Sequence, residues 1–251
     1  PLLTAELPET GERFEGALPP VTPGPVFAMR KRAVALIRLD DYVADGILTA
    51  DQAAFLRTAV RHRQNILIAG GTSTGKTTLA NALLNEVAAT GDRVIVLEDT
   101  VELQCTAHDH VPLRTRPGVV SMTELVRSTL RLRPDRIVVG EVRGPEALDL
   151  LQAWGTGHPG GIATVHAGSP MGALTRLEQL VQEVARNVPR ALIAETVNII
   201  VFIAGRGRSR RVEAIARVTG LDGNGYQLDR DLASAPPPPI PSAPPLPGET
   251  S

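Results

Sequence analysis

The amino-acid sequence predicts an α/β protein in which a mostly parallel sheet is flanked by helices. Apolar segments of strand length alternate with longer segments whose apolar residues have helical spacing. Capping residues or prolines stand at the starts of several helical segments. Strands that alternate with helices require crossover connections, and these connections make neighbouring strands parallel and cover both faces of the sheet.

The first part of the chain, up to about Pro25, is rich in Pro, Gly and Glu. We interpret residues 1–38 as the end of an N-terminal domain with its linker, and we expect the α/β domain to cover residues 39–230. A capping-box signal predicts that the first helix of this domain begins after Thr49 and runs to about His62.

The central segments follow in alternation. The predicted strands are NILIAGG (65–71), RVIVLED (93–99), RIVVGEV (136–142), GIATVHA (161–167) and VNIIVFIA (197–204). The predicted helices are GKTTLANALLNEVAAT (75–90), MTELVRSTLRL (122–132), EALDLLQAW (146–154) and MGALTRLEQLVQEVAR (171–186). Gly91 is expected to end the first of these helices, whereas Ser121, Pro145 and Ser169 with Pro170 are expected to start the others.

The last part of the chain predicts a hairpin and a tail. Residues 210–228 combine strand-forming residues with DGNG, a turn sequence. Residues 231–251 are dominated by Pro and lack the apolar content needed for packing, so we predict a disordered tail.

Composition limits the possible functions. The net charge of -1 and an aromatic content of 3% argue against strong sequence-independent binding of nucleic acid, so no direct DNA binding is expected. The single cysteine, Cys105, excludes a disulfide framework and indicates a reducing compartment. The longest apolar run, Val197–Gly205, is shorter than the roughly 20 residues of a membrane-spanning helix.

Residues 70–77 read GGTSTGKT, a phosphate-binding loop between a predicted strand and a predicted helix. Backbone N–H groups at the start of a helix bind phosphate, the lysine reaches the terminal phosphates, and the threonine hydroxyl can ligate Mg²⁺. We therefore expect ATP and Mg²⁺ as cofactors. The predicted nucleotide-binding residues are Gly70, Gly71, Thr72, Ser73, Thr74, Gly75, Lys76, Thr77 and Thr78, with Thr77 also a metal ligand.

Residues 133–144, RPDRIVVGEVRG, place a carboxylate and a guanidinium after a strand. Open parallel sheets bind their ligands at the carboxyl ends of their strands. Glu141 is therefore predicted to hold Mg²⁺, partly through water, and Arg143 to face a terminal phosphate. The alternative is a solvated Glu-Arg pair at the end of a strand.

Three carboxylates belong to LEDTVE at residues 97–102. Hydrolysis of a terminal phosphate needs a group that orients and deprotonates water, and a carboxylate can do so. We predict that Glu102 has this role and that Asp99 or Glu98 supports the metal shell.

Two histidines flank the strand in GHPGGIATVHAGS, residues 157–169. We interpret His158 and His166 as polar sensors beside the phosphate. The alternatives are two structural histidines, or a zinc site with a third ligand from HDH at residues 108–110. The zinc site is not favoured, and HDH is expected in an exposed turn.

Four motifs, GGTSTGKTT, VLEDTVELQ, LRPDRIVVGEVRG and GHPGGIATVHAGS, resemble in the same order those of the secretion ATPase superfamily, which serves type II and type IV secretion. The resemblance covers roughly Arg13 to Tyr226 and is greatest to conjugal transfer ATPases of the TrbB type. It implies a RecA-like P-loop NTPase preceded by the remnant of an N-terminal domain. It also implies a hexameric ring, peripheral to the cytoplasmic face of the bacterial inner membrane, below a secretion or conjugation channel.

The function implied by this resemblance is an ATP-hydrolysing motor that couples turnover to domain motion for pilus assembly or substrate transport. The resemblance further places the basic residues Arg13 and Arg30 of the first domain against nucleotide. Alternatives that stay open are a RecA-like DNA translocase or helicase, a pilus or Tad-type secretion ATPase, and a nucleotide-gated assembly module with scarcely any hydrolysis. A small-molecule kinase fits worst because no lid insertion is evident.

Overall fold

The computed structural model describes residues 1–8, 11–30 and 36–231. Within it the chain divides into two compact units, Pro1–Leu36 and a second unit that begins at Ile37. The predicted Pro-rich tail lies outside the described residues except for Asp231, as does linker segment 31–35.

The first unit is a small antiparallel sheet with the strand order β1-β2-β3. Its strands are β1 (Leu2–Glu6), β2 (Arg13–Ala17) and β3 (Val26–Arg30). Arg13 pairs with Arg30 across β2 and β3, and the rings of Phe14 and Phe27 stack with their centroids 5.8 Å apart. No strands were predicted here from the sequence, because each strand has only five residues and Pro and Gly lie between them.

The second unit contains eight strands and seven helices among the described residues. The strands are β4 (Ile66–Gly70), β5 (Val94–Glu98), β6 (His110–Arg114), β7 (Arg136–Val139), β8 (Ile162–His166), β9 (Ile199–Ala204), β10 (Arg211–Asp222) and β11 (Gly225–Asp229). The helices are α1 (Leu39–Ala44), α2 (Ala50–Arg61), α3 (Lys76–Ala88), α4 (Met122–Thr129), α5 (Glu146–Gly155), α6 (Pro170–Gln182) and α7 (Arg190–Thr196).

These strands form one sheet in the order β11-β10-β9-β4-β8-β7-β5-β6. Pairing is parallel from β9 to β6 and antiparallel between β9, β10 and β11. The predicted α/β fold with a mostly parallel sheet is confirmed. The carboxyl ends of β4, β8, β7 and β5 consequently lie along one edge, which is where sheets of this type place their ligand chemistry.

Alternate residues of each central strand fill two separate cores, because successive side chains of a strand point to opposite faces. Leu67 and Ala69 of β4 belong to the core that includes residues of α4, α5, α6 and α7. Ile66 and Ile68 belong to the core that includes residues of α1, α2 and α3. This two-sided burial explains why the strand sequences are continuously apolar.

The structure follows several local sequence signals. Thr49 accepts a hydrogen bond from the backbone N–H of Gln52, and Ser121 does the same for Glu124, so both predicted capping boxes form. HDH is only partly a turn, which corrects the expectation: His110 is the first residue of β6. No helix in the described ranges has the length and apolarity needed to span a bilayer.

Candidate nucleotide-binding site

The phosphate-binding loop leaves the carboxyl end of β4 and enters α3. Ser73 and Gly75 have positive φ angles of 63° and 96°, and Gly75 is the residue that precedes the helix. Glycine adopts this backbone conformation without the steric cost that a Cβ would add. The hydroxyl of Thr74 donates to the carbonyl of Gly71 at 3.0 Å and closes the turn. The loop therefore has the strand-turn-helix geometry that directs backbone N–H groups toward an anion.

Lys76, the first residue of α3, is buried against this loop. Its Nζ donates to the carbonyl oxygens of Gly70 and Gly71 at 3.1 and 3.0 Å and lies 3.4 Å from Nδ1 of His166. The ammonium is thus held at the loop on a flexible stem. The next helical residues, Thr77 and Thr78, are half-buried, whereas Thr72 and Ser73 of the loop are exposed.

The structure brings Glu141, Arg143 and His166 to the same edge of the sheet. Gly70 and His166 are register partners at the ends of β4 and β8. Nε2 of His166 lies 2.6 Å from Oε1 of Glu141, and Nε of Arg143 donates to Oε2 of the same carboxylate at 2.7 Å. A continuous set of polar groups therefore extends from Lys76 through His166 and Glu141 to Arg143.

Partial burial and nearby positive charges favour the neutral form of His166. Partial burial is the largest effect that lowers its pKa, and the positive charges of Lys76, Arg143 and Arg176 lower it further against the opposing effect of Glu141. A neutral imidazole can accept a hydrogen bond at the nitrogen that faces the ammonium of Lys76.

The oxygens at this edge fit Mg²⁺. The contact between His166 and Oε1 of Glu141 lacks hydrogen-bond alignment, so this buried oxygen has no hydrogen-bond donor among the described residues. Thr77 offers a hydroxyl at the start of α3. Carboxylate and hydroxyl oxygens are the ligand types that Mg²⁺ prefers.

Glu98 ends β5 and holds the backbone of the acidic segment. Its carboxylate is buried, and Oε1 accepts hydrogen bonds from the N–H groups of Glu102 and Leu103 at 2.8 and 2.7 Å. Glu98 was expected as one of two carboxylates that could support the ligands of a metal ion. The structure differs, because Oε1 of this carboxylate already accepts two backbone hydrogen bonds. Glu98 positions the residues that follow it.

Asn81 holds the same segment from the opposite side. This buried residue of α3 donates through Nδ2 to the carbonyl of Glu102 at 3.3 Å and accepts at Oδ1 from the N–H of Gln104 at 2.9 Å. Asn81 was not predicted as a site residue. Nothing in the sequence of this mostly apolar helix indicates that one of its amide side chains binds the backbone of another segment. Its position just over one turn after Lys76 was the only available signal.

Asp99 lies at the outer side of the polar set. Its Oδ1 accepts from the hydroxyl of Thr115 at 2.8 Å, and its Oδ2 lies 3.8 Å from Nη1 of Arg143. Burial lowers the pKa of Arg143, but the hydrogen bond and charge of Glu141, with the charges of Asp99 and Glu102, raise it overall. Glu102 therefore acts electrostatically on the same guanidinium as Glu141.

One predicted site residue of the second unit, His158, is not brought to this edge. His158 precedes β8, and its Nδ1 lies 2.8 Å from the carbonyl of Pro134, which precedes β7. His158 therefore lies at the amino ends of the strands, away from Lys76. This position favours the alternative that His158 is a structural histidine. Arg13 and Arg30 lie opposite each other in the first unit.

Comparisons with known proteins agree with this geometry. The family described as type II/IV secretion system protein matches residues 3–206. The conjugal transfer protein TrbB of Rhizobium radiobacter is 49% identical over 231 residues, which are 91% of this chain and 71% of the relative. The probable conjugal transfer protein TrbB of Sinorhizobium fredii is 51% identical over 233 residues, 92% of this chain and 71% of the relative.

A solved structure shares the fold. The VirB11 ATPase of the Brucella suis type IV secretion system, in complex with sulphate, aligns with a TM-score of 0.59 and 30% identity, covering 86% of this chain and 76% of that protein. The sheet order, the loop between β4 and α3 and these matches together show that the chain belongs to the type II/IV secretion system protein family, with conjugal transfer proteins TrbB among its relatives.

Proposed function

We propose that this chain is an ATP-hydrolysing motor of a conjugative transfer or type IV secretion system. The observation that carries the proposal is the meeting of Lys76, His166, Glu141 and Arg143 at the edge of the sheet where the phosphate-binding loop lies. The relatives named as conjugal transfer proteins supply the biological setting.

The proposed chemistry divides among these residues. Lys76 and the loop amides bind the phosphates, and Glu102 orients the attacking water and accepts its proton. Arg143 stabilises charge that develops on the terminal phosphate. His166, which is neutral beside Lys76, would be the polar sensor of that phosphate and would link the bound phosphate to Glu141.

Glu141 and Thr77 would hold Mg²⁺, Glu141 partly through water. The ion, when bound, would supply positive charge that offsets the negative charge of the phosphates. The buried Oε1 of Glu141 supports this assignment, because a cation would satisfy an oxygen to which no described residue donates.

The motor is proposed to work as a homo-oligomeric ring, a hexamer, at the cytoplasmic face of the bacterial inner membrane. Its partners would be channel components of the secretion or conjugation apparatus, with peripheral association at the membrane and no direct contact with DNA. In a ring with heterologous interfaces, Arg13 and Arg30 would each act toward a neighbouring subunit's nucleotide.

Two substitutions test the proposed hydrolysis. Lys76→Ala should lose nucleotide binding and turnover together, because the ammonium contacts phosphates in the ground state. Glu102→Gln should still bind ATP but show a kcat lower by about 100-fold or more, since only proton transfer is lost. Equilibrium binding and phosphate release measure the two quantities.

Glu195→Gln is the matched control, since it removes an exposed carboxylate on α7. It should leave both quantities unchanged. Normal turnover in Glu102→Gln would show that another group activates water. An ATPase rate raised many-fold by single-stranded DNA, with steep salt dependence, would instead favour the DNA translocase.

A further inference from the structure

The loop between β9 and β10 is rich in arginine and tightly folded. Gly205 has a φ of 76°, and a Cβ at this position would lie 2.1 Å from the carbonyl oxygen of Ser209. The hydroxyl of Ser209 donates to the carbonyl of Arg206 at 2.9 Å and accepts from its N–H at 3.1 Å. Arg206, Arg208 and Arg210 are therefore carried on a loop of defined shape.

This loop lies beside the phosphate-binding loop because β9 and β4 are parallel neighbours that end at the same edge. The side chain of Arg210 contacts Gly75: a Cβ built on Gly75 would lie 2.9 Å from Nε and 3.1 Å from Cζ of Arg210. Lys76 follows Gly75 directly. The guanidinium of Arg210 therefore lies at the start of α3, where the helix dipole already favours an anion.

Arg210 has an unsatisfied donor at this place. Its Nε is buried and finds no hydrogen-bond acceptor among the residues that the structure describes. The buried hydroxyl of Tyr42 likewise has no hydrogen-bond partner in the described part of the chain. Burial raises the pKa of this hydroxyl, and the charge of Arg210 lowers it in part. No carboxylate of the described residues pairs with this half-buried guanidinium. Burying an unpaired charge is costly, and an anionic oxygen would offset that cost.

We propose that Arg210 is a further nucleotide-binding residue, whose guanidinium contacts phosphate oxygens of the nucleotide on the phosphate-binding loop. The inference rests on the proposed function, since it requires a nucleotide at this loop. Arginine suits the role because its planar group donates two parallel hydrogen bonds to phosphate. The contact would also couple the β9–β10 connection to the occupancy of the loop.

The test measures displacement of a fluorescent ADP from the full chain by ATP and, separately, by inorganic tripolyphosphate. In Arg210→Ala, both competitors should bind about 10- to 100-fold more weakly, as expected for loss of a charge-assisted hydrogen bond. Arg210→Lys should lie between this variant and the wild type. Arg208→Ala, an exposed arginine on the same loop, should match the wild type.

Each other outcome has a defined meaning. Unchanged affinities in Arg210→Ala would overturn the inference and leave the proposed function intact, as would weaker binding of ATP with unchanged binding of tripolyphosphate. Failure of the wild-type chain to bind ATP would overturn the proposed function itself. If thermal unfolding shows that Arg210→Ala does not fold, Arg210→Gln, which keeps a hydrogen-bonding side chain without the charge, decides by the same comparison.

Discussion

At the scale of single residues, two buried side chains hold the backbone of Glu102, the proposed catalytic base. The backbone of Glu102 is fixed at its N–H by Glu98 and at its carbonyl by Asn81, and both of these side chains are buried. Buried polar groups with good partners lock one conformation, because breaking them leaves unsatisfied atoms. We therefore treat Glu98 and Asn81 as positioning residues for the proposed base.

Asn81→Ala tests this positioning. It removes the hydrogen bonds to Glu102 and Gln104 and should lower kcat about 10- to 100-fold, because small displacements of a catalytic group are costly. The Kd of nucleotide should stay at the wild-type value, since Lys76 and the loop are untouched. Phosphate release and equilibrium binding separate the two effects.

Asn85→Ala is the control, since Asn85 lies one turn further along α3 and is half-buried. It should retain wild-type kcat. Equal losses of kcat in both variants, or a loss of nucleotide affinity in Asn81→Ala alone, would contradict a positioning role for Asn81.

The residues of this site could be proposed from the sequence, but the separate position of each residue in the site could not. Lys76 and Glu141 follow from motif spacing and from the position at the end of a strand. Glu98 and Asp99 are adjacent carboxylates, and only the fold makes one buried and the other exposed. Arg210 was beyond reach, because its contact with Gly75 arises from the pairing of β9 with β4.

At the scale of elements, a second charged cluster fixes the opposite edge of the sheet. Arg136, at the start of β7, is almost fully buried and donates to Asp92 at 2.6 Å and to the carbonyls of Gly160 and Val60 at 3.1 and 3.0 Å. These contacts join β7 to the ends of α2 and α3 and to the entry of β8. The cluster has a structural role at the edge remote from the phosphate-binding loop.

The pKa of Asp92 predicts how this cluster responds to acid. Burial alone would raise this pKa, but hydrogen bonds from Arg136 and Thr90 and the charges of Arg136 and Arg63 lower it overall. Because the folded pKa lies below the unfolded one, the ionised carboxylate stabilises the fold above about pH 4, and this contribution disappears as pH falls through the folded pKa. Asp135 is a further charge that acts on Arg136.

Asp92→Asn should lower the free energy of unfolding at pH 7 by about 3–5 kcal/mol, because Arg136 is left buried without its counter-charge. The difference from the wild type should shrink below about pH 4, where the wild-type carboxylate also becomes protonated. Urea unfolding of both proteins at pH 7 and below about pH 4 measures this difference in the free energy of unfolding.

Asp109→Asn, which breaks the exposed pair with Arg93, should cost about 1 kcal/mol or less at pH 7. A loss in Asp92→Asn that is equally small, or that does not depend on pH, would show that the buried pair is not the source of the stability.

Element prediction succeeded where burial and capping agreed and for the hairpin of β10 and β11, but it failed for β6 at the other edge of the sheet. No strand was predicted at β6, which contains Pro112. It is the last strand of the sheet, and proline is tolerated there. The short strands of the first unit and the seven-residue helix α7 lack the length that makes periodicity readable.

At the scale of the whole molecule, the proposed ring would allow an arginine of one subunit to act at the nucleotide site of its neighbour. The phosphate-binding loop belongs to the second unit, whereas Arg13 and Arg30 belong to the first. A ring with heterologous interfaces brings different surfaces of neighbouring subunits together, so loop and arginine need not come from the same chain. An arginine supplied in this way accelerates phosphoryl transfer by about 10³- to 10⁵-fold in other enzymes.

Mixing inactive variants tests whether the arginines act between subunits. Arg30→Ala should bind ATP almost normally but hydrolyse it poorly, and Arg13→Ala should behave in the same way. If Arg30→Ala and Lys76→Ala are mixed in equal amounts, about a quarter of the interfaces in a random ring pair an intact loop with an intact Arg30, so part of the activity should return. Phosphate release measures the recovery, and energy transfer between differently labelled variants verifies that mixed rings form.

The matched control mixes Lys76→Ala with Glu102→Gln. Both residues belong to the site built on one chain, with Lys76 at the phosphate-binding loop and Glu102 held by Asn81 of the same helix, so no arrangement of subunits restores a complete site. This mixture should stay inactive while the mixture with Arg30→Ala recovers. Mixed rings of Arg30→Ala and Lys76→Ala that regain no activity would mean that Arg30 acts within its own chain or has no part in hydrolysis. Recovery in the control mixture would show that Lys76 and Glu102 of one chain act at different nucleotide sites of the ring. The proposal that both residues act at the same site would then be wrong.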